Sequence, residues 1–238
     1  MKPEFAKYLL DKTRDDYNSI AEVFDNRRSW IPSDFKLFSQ YIKQEDKILD
    51  IGCGNGRLKE ILLENTDYCG IDFSEGMIER AKKRYPEAKI FHTKPFEFPF
   101  NDNSFDKVFC LSVLHHIPSK SFRIKFLKEI KRVLKPKGEL FLTVWDLEDN
   151  KKARKLLFKY TMFKLLGKTK LDFKDIFYPF KNSKGEVLMQ RYVHNFSLRE
   201  LKKFLQKAGF IIKKVEKQQR SKKGKNFFVL AENLAPIV

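Results

Sequence analysis

Short apolar runs, each closed by a glycine or a single acid, alternate along this chain with amphipathic stretches of helical period. The first run is Lys47 to Ile51, closed by Gly52, and a helix is expected from Leu58 to Glu64. A second strand, Tyr68 to Ile71, ends at Asp72, and Ser74 stands where an N-cap would open a helix reaching about Arg84. Ala88 to Phe91 and Phe105 to Leu111 read as the third and fourth strands. A helix from Ser121 to Leu134 and a Pro136-Lys137-Gly138 turn lead to a fifth strand, Glu139 to Trp145. Strands this short and apolar, alternating with helices, predict a parallel sheet covered on both faces.

Ahead of the sheet, Phe5 to Tyr41 reads as helical, with Tyr17, Ile20, Ala21 and Phe24 on one face and a break with a new N-cap at Ile31-Pro32-Ser33-Asp34. Beyond the fifth strand, residues 146–190 form an insertion: a basic helix, then a less regular stretch around Tyr178-Pro179. Ser197 and Glu200 make a capping box for a helix that ends at Gly209. Phe210 to Val215 and Asn226 to Ala231 follow as strands whose short basic connection makes them antiparallel neighbours. The expected organisation is a single domain over 1–238, with 1–41 as a helical lid and 146–190 inserted within the domain.

A chain of 238 residues buries one sizeable core. The 24 phenylalanines have no functional explanation in the sequence. Cys53, Cys69 and Cys110 lie in or beside expected strands, as reduced thiols of a cytoplasmic protein would. No residues have metal-ligand spacing and no apolar run has transmembrane length, so neither a metal nor a membrane span is expected. The net charge of +18 is concentrated. Between Lys151 and Gln190 there are 11 Lys and Arg against 3 acids, and between Ile211 and Asn226 there are 7 against one. Such blocks attract polyanions; a nucleic acid is the first reading and an anionic membrane surface the lesser one.

The most informative local signal is Ile48-Leu49-Asp50-Ile51-Gly52-Cys53-Gly54-Asn55-Gly56, a strand running into a glycine turn. Such a turn lets a nucleotide-like ligand approach the backbone, and Asp72 at the end of the next strand is placed to accept from both ribose hydroxyls. The turn lacks the Gly-x-x-Gly spacing that cradles a pyrophosphate, and Asp50 precedes it. A ligand without phosphate and with a cationic amino group, such as S-adenosylmethionine, fits better than a dinucleotide.

At this point the sequence resembles the class I S-adenosylmethionine-dependent methyltransferases. Leu49 to Gly56 is similar to their motif I, Tyr68 to Ser74 with Met77 to motif II, and Pro99 to Asp106 to the entry of their fourth strand. The resemblance implies a Rossmann-like α/β fold: a seven-stranded, mostly parallel sheet with the last strand antiparallel. It also implies cofactor contacts from Asp50, Gly52, Gly54, Asn55, Gly56, Asp72, Phe73, Met77, Phe96 and Leu111. One departure stands out. Many relatives carry an aspartate at the position of Lys94, followed by a backbone N–H donor; here Pro95 follows, so adenine recognition falls to Phe96, nearby carbonyls or apolar packing.

Leu114-His115-His116-Ile117-Pro118 falls after the fourth strand, at the sheet edge where open α/β folds bind ligands, and Arg191-Tyr192-x-His194 is the second suggestive cluster. Arg27 and Arg28 are placed to clamp a carboxylate or phosphate. Tyr17 to Ala21 with Phe24, Arg28, Trp30 and Pro32, Val113 to His116, and Gln190 to Phe196 together resemble the Trm9-like wobble-uridine tRNA methyltransferases. That resemblance implies methyl-ester formation on 5-carboxymethyluridine, without a metal. Arg28, His116, Arg191 and His194 would line the acceptor pocket, and the basic segments would hold the tRNA anticodon stem-loop. It also implies a small zinc-binding activator protein of the Trm112 type. The spacing between Arg28 and Trp30 and the presence of Val193 depart from that group. A small-molecule carboxylate or quinone-precursor methyltransferase remains the alternative, with an apolar pocket and a basic patch facing away from it. A non-catalytic RNA-binding module would have a blocked cleft.

Overall fold

Strand residues divide by parity between two cores, and that division defines the sheet. In the computed structural model, which describes residues 1–27, 35–221 and 224–234, strands β1 (Lys47–Ile51), β2 (Asp67–Asp72), β3 (Lys89–His92), β4 (Phe105–Leu111), β5 (Leu134–Asp146), β8 (Phe210–Ser221) and β9 (Gly224–Asn233) form one seven-stranded sheet. The order is β3-β2-β1-β4-β5-β9-β8; β1 to β5 pair in parallel, and β9 inserts antiparallel between β5 and β8. This is the Rossmann-like arrangement the sequence implies.

On one face, Val108, Cys110, Leu140, Leu142, Val144 and Val229 pack with Phe126, Leu127 and Ile130 of α3 (Lys120–Val133) and Leu201, Phe204 and Leu205 of α5 (Leu198–Lys207). On the other, Ile48, Phe109, Phe141 and Phe228 pack with Ile78 and Ala81 of α2 (Glu75–Arg84) and with Phe38 from a pair of short 3-10 turns. Phe109 and Phe141 face each other across paired strands and stack at 4.6 Å, with Phe38 packed 5.9 Å from Phe109 and 5.5 Å from Phe228. The phenylalanine excess thus has a structural use: a run of aromatic pairs, each ring worth about 2–3 kcal/mol of burial.

The structure differs from the expected elements at several places, among them β5, which begins at Leu134 and takes in the Pro136-Lys137-Gly138 stretch expected as a turn. The helix expected from Leu58 to Glu64 is a 3-10 turn, Arg57–Ile61, closed by bonds from Lys59 N to Gly56 O and from Leu62 N to Lys59 O. Gly56 at its start is left-handed (φ +77°) and offers no side-chain cap, so no longer helix is nucleated. The stretch around Tyr178-Pro179 is regular: β6 (Asp175–Lys181) pairs antiparallel with β7 (Val187–His194) as a separate hairpin, following the basic helix α4 (Lys151–Leu165). Tyr178 and Pro179 sit on a two-stranded ribbon, where a proline is tolerated because one side of each strand has no ladder to complete. The last two strands are also longer than their apolar runs: β8 continues to Ser221 and β9 begins at Gly224. The cysteines are buried and unpaired by disulfide. No helix among the described residues is long and apolar enough to cross a membrane.

Candidate functional site

The C-terminal ends of β1, β2, β4 and β5 meet under one long helix, α1 (Pro3–Arg27), whose Leu10, Thr13, Arg14, Tyr17 and Phe24 recur at helical spacing and line a cavity of about 410 Å³. Asn18 fixes that helix: its Oδ1 accepts from Ser74 Oγ (2.6 Å) and from Gly76 N (3.1 Å), the latter in the first turn of α2. Gly76 permits the crossing, since a Cβ there would lie 3.1 Å from that of Ala21.

The glycine turn forms the cavity floor. Gly52 and Gly54 both have positive φ, and a Cβ on Gly52 would lie 2.3 Å from Val113 Cγ2. Asp72 ends β2 with each carboxylate oxygen holding one backbone donor, Gly54 N at 2.9 Å and Ser74 N at 2.8 Å. Burial pushes its carboxyl up, against the pull of those amides. Asp50 is 4% exposed; burial raises its carboxyl to about 7, despite a hydrogen bond from Tyr68 Oη at 3.1 Å. Phe73, Met77, Leu111, Pro95 and Phe98 complete this part of the wall. Asn55 lines it too, but its side chain is tied to Asp25 and Arg57.

Another part of the cavity wall is built by the 3-10 turn Leu114–His116 after β4. It follows Ser112, a non-glycine residue at φ +64° held by Thr143 through backbone and hydroxyl bonds of 3.0 Å each. His116 Nδ1 donates to the Tyr192 carbonyl at 2.8 Å. That contact fixes the tautomer, so Nε2 accepts from the Tyr17 hydroxyl at 3.1 Å. His115 is fully buried with its ring 4.6 Å from Trp145.

Four expected site residues are placed otherwise. Gly56 lies off the cavity and packs against Tyr85, whose ring a Cβ would meet at 2.9 Å. Phe96 turns away to pack edge-on against Phe122, ring centroids 5.0 Å apart, so the wall beside Lys94 is supplied by Thr93, Pro95 and Phe98 instead; Lys94 itself is exposed and paired with Glu97. His194 is buried between two carboxylates, Asp175 at 2.6 Å and Glu200 at 3.3 Å, and lines neither cavity. Its partners bind the hairpin to the domain: Asp175 also meets Arg123 at 3.4 Å, and Arg123 donates to Tyr192 Oη and to the Ile117 carbonyl. Burial would raise the Glu200 carboxyl, but His194 and Lys174 hold it at about 2. Arg191 lies across Trp145 from His116, in a neighbouring cavity rather than the same one. Arg28 lies outside the described residues.

Sequence reasoning passed over Tyr17, Arg14 and Trp145 as site residues. The helical spacing from Leu10 to Phe24 and the position of Trp145 near the C-terminal end of β5 were the signals available.

Residues 49–142 match the family model described as a methyltransferase domain. Among known proteins, a demethylmenaquinone methyltransferase of Staphylococcus aureus (strain JH9) is 31% identical over 214 residues, covering 85% of this chain and 82% of that protein. A human protein named probable tRNA methyltransferase 9B is 32% identical over 152 residues, covering 62% of this chain and 32% of that protein, so the match spans about a third of the relative's length. A Methanosarcina mazei crystal structure of a SAM-dependent methyltransferase aligns with TM-score 0.70 at 24% identity, covering 83% of this chain and 97% of that one. The methyltransferase chain in a complex with the Haloferax volcanii Trm112 methyltransferase activator aligns with TM-score 0.65 at 16% identity, covering 94% of this chain and 98% of that one.

Proposed function

We propose, from the premise that this chain belongs to the S-adenosylmethionine-dependent methyltransferases, that its acceptor is the anticodon stem-loop of a transfer RNA and its product the methyl ester of a wobble 5-carboxymethyluridine. The cofactor is S-adenosylmethionine, and the donor set fits it: the buried Asp50 and half-buried Asp72 carboxylates, a glycine floor without pyrophosphate spacing, and largely apolar walls. Asp72 would take the ribose hydroxyls on its remaining lone pairs, Asp50 would face the cationic amino acid end, and Phe73, Met77 and Leu111 would pack on the base. When bound, the cofactor supplies an electrophilic methyl carbon, to which a carboxylate oxygen is a competent nucleophile at neutral pH without a base or a metal.

The chain's own task is positioning and water exclusion. Helix α1 roofs the cleft, and the Tyr17–His116 pair, with both its protons committed, presents the Tyr17 oxygen as a fixed hydrogen-bond acceptor for a donor such as the uracil N3–H. With its tautomer set by the Tyr192 carbonyl, His116 orients rather than shuttles a proton. Arg28, from the resemblance, is kept in the proposal as a residue that binds the acceptor.

One observation carries the RNA reading. Cations from the 146–190 insertion and from the C-terminal hairpin, Lys152, Lys181 and Lys225, stand with Arg27 around a second cavity that shares walls with the cofactor cleft. A small-molecule enzyme would turn such charge away from its pocket, and a non-catalytic module would have filled the cleft. The human relative's name agrees with this acceptor. A cytoplasmic location follows from it. The proposal includes a small zinc-binding activator of the Trm112 type, for which the outer edge of β3, unpaired among the described residues and with Phe91 44% exposed, offers a strand to pair with.

The test is methyl transfer from labelled S-adenosylmethionine to tRNA carrying 5-carboxymethyluridine, with mass spectrometry of the nucleosides, with and without such an activator. A methyl-ester nucleoside is expected. No incorporation by protein that binds the cofactor would overturn the reading in favour of a second one, methylation of a quinone precursor. The length of the demethylmenaquinone methyltransferase alignment favours that alternative.

A further inference from the structure

Beside the cofactor cleft lies a second cavity of about 560 Å³, joined to it through Arg27, Trp145 and Phe180, which line both. Its inner wall holds the guanidinium of Arg191, a residue only 7% exposed. The guanidinium carbon sits 4.7 Å from the Trp145 ring, 5.2 Å from Phe180 and 5.9 Å from Tyr178. Among the described residues Arg191 has no carboxylate within ion-pairing distance, and its Nε has no hydrogen-bond partner. Aromatic faces recover part of the solvation a buried cation loses, and a guanidinium in a cavity wall with no paired carboxylate leaves a charge that an anion in the cavity can meet.

The rim has the same sign. Asp146 and Asp149, the two acids that line the cavity, are neutralised by Lys217 at 2.9 Å and Lys225 at 2.6 Å. Arg27, Lys152 and Lys181 have no carboxylate partner among the described residues, so the cavity presents uncompensated positive charge over aromatic walls. Lys152 lies 5.9 Å over Tyr178, and Arg27 stacks at 5.5 Å on Phe180 and donates to the Lys181 carbonyl. Planar apolar walls with a buried anion demand and a cationic rim describe the needs of a nucleotide: a base to stack, a phosphate to pair.

We infer that this second cavity binds a nucleotide, pairing its phosphate with Arg191, and so holds the residue of the RNA next to the base being methylated. The inference rests on the RNA reading above and adds a compartment to it. The neighbouring nucleotide lies in the cavity against the lining residues Tyr178 and Phe180, with Arg191 behind them, which leaves the acceptor base facing Tyr17 and His116 in the first cavity.

The full chain, saturated with S-adenosylhomocysteine to fill the first cavity, is titrated calorimetrically with uridine 5′-monophosphate, uridine and inorganic phosphate. Saturable binding of the monophosphate is expected, at least about tenfold tighter than either of the others, falling about tenfold or more in R191Q and less in R191K. The rim variant K152E/K181E, which leaves the core untouched, is expected to weaken it as well. Equal monophosphate affinity in wild type and both the R191Q and rim variants overturns the inference. Displacement of the monophosphate by S-adenosylhomocysteine, or equal affinity for inorganic phosphate, does so too. Monophosphate binding without methylation of the modified tRNA keeps the cavity and removes the wobble-base reading; methylation without monophosphate binding removes only this inference.

Discussion

At the scale of single residues, Asp50 sets a pH dependence that runs in two directions. Its folded carboxyl is raised from 3.8 to about 7 by burial, so the empty protein holds a proton that the unfolded chain has lost. Stability from this group is therefore present below about pH 4 and declines as pH rises through 7. Affinity for a cationic ligand runs the other way, because only the ionised carboxylate attracts it. Cofactor affinity is expected to rise up to roughly tenfold between pH 6 and 8 and to be flat in D50N, read by calorimetry at both pH values; a D50N profile as steep as wild type would place the titration elsewhere. Gly52 is as constrained: a Cβ there collides with Val113 at 2.3 Å on a backbone of positive φ. G52A is expected to lose about 1–3 kcal/mol of stability together with most cofactor binding, seen in urea denaturation and ligand titration. Asp50, Gly52, Gly54 and Asp72 were legible in the sequence because a turn between strand and helix leaves few residue types possible. Phe96 and His194 were not, because a rotamer decides where the first points and pairing inside the β6–β7 hairpin, which sets Asp175 opposite it, decides the second.

Between elements, the decisive contact is the buried cluster that ties the β6–β7 hairpin to α3 and α5. Asp175 sits at its centre, fully buried, and meets both Arg123 and His194. D175A strands the buried Arg123 guanidinium and leaves His194 Nδ1 without its carboxylate partner, and is expected to cost about 3 kcal/mol or more in denaturant unfolding, far beyond a surface ion pair. A loss below about 1 kcal/mol would mean that the hairpin is held by its apolar contacts alone. This element shows where sequence reading ends. β1 and β4 match their expected ranges residue for residue, since apolar runs buried on both sides have sharp ends. β6 contains Pro179, exposed charge and no clean alternation, and its pairing with β7 comes from tertiary docking that no local pattern encodes. Missing the hairpin also put Arg191 and His194 in the wrong surroundings, since adjacent odd and even positions of a strand face opposite ways.

At the scale of the whole molecule, charge and chemistry converge on one face. The net charge of +18 is not spread evenly, and four cations around the second cavity, Arg27, Lys152, Lys181 and Arg191, lack carboxylate partners among the described residues. If these meet four phosphates, the logarithm of the tRNA binding constant falls with the logarithm of salt at a slope of roughly −3, and K152E/K181E removes about half of it. A slope near zero, or one unchanged in the variant, would detach the basic face from RNA. The sheet order has a consequence of another kind, for how the protein is made. β9 fills the gap between β5 and β8 yet follows both of them in the chain. A ribosome releases β1 to β5 and the glycine turn long before residues 224–233 emerge. Throughout that interval the long apolar edge of β5, Leu140 to Trp145, waits for a partner. Unpaired edges of this kind attract other chains. A nascent protein could therefore hold a cofactor cleft while still vulnerable to aggregation, and molecules cut short before Gly224 are expected to become chaperone clients rather than smaller enzymes.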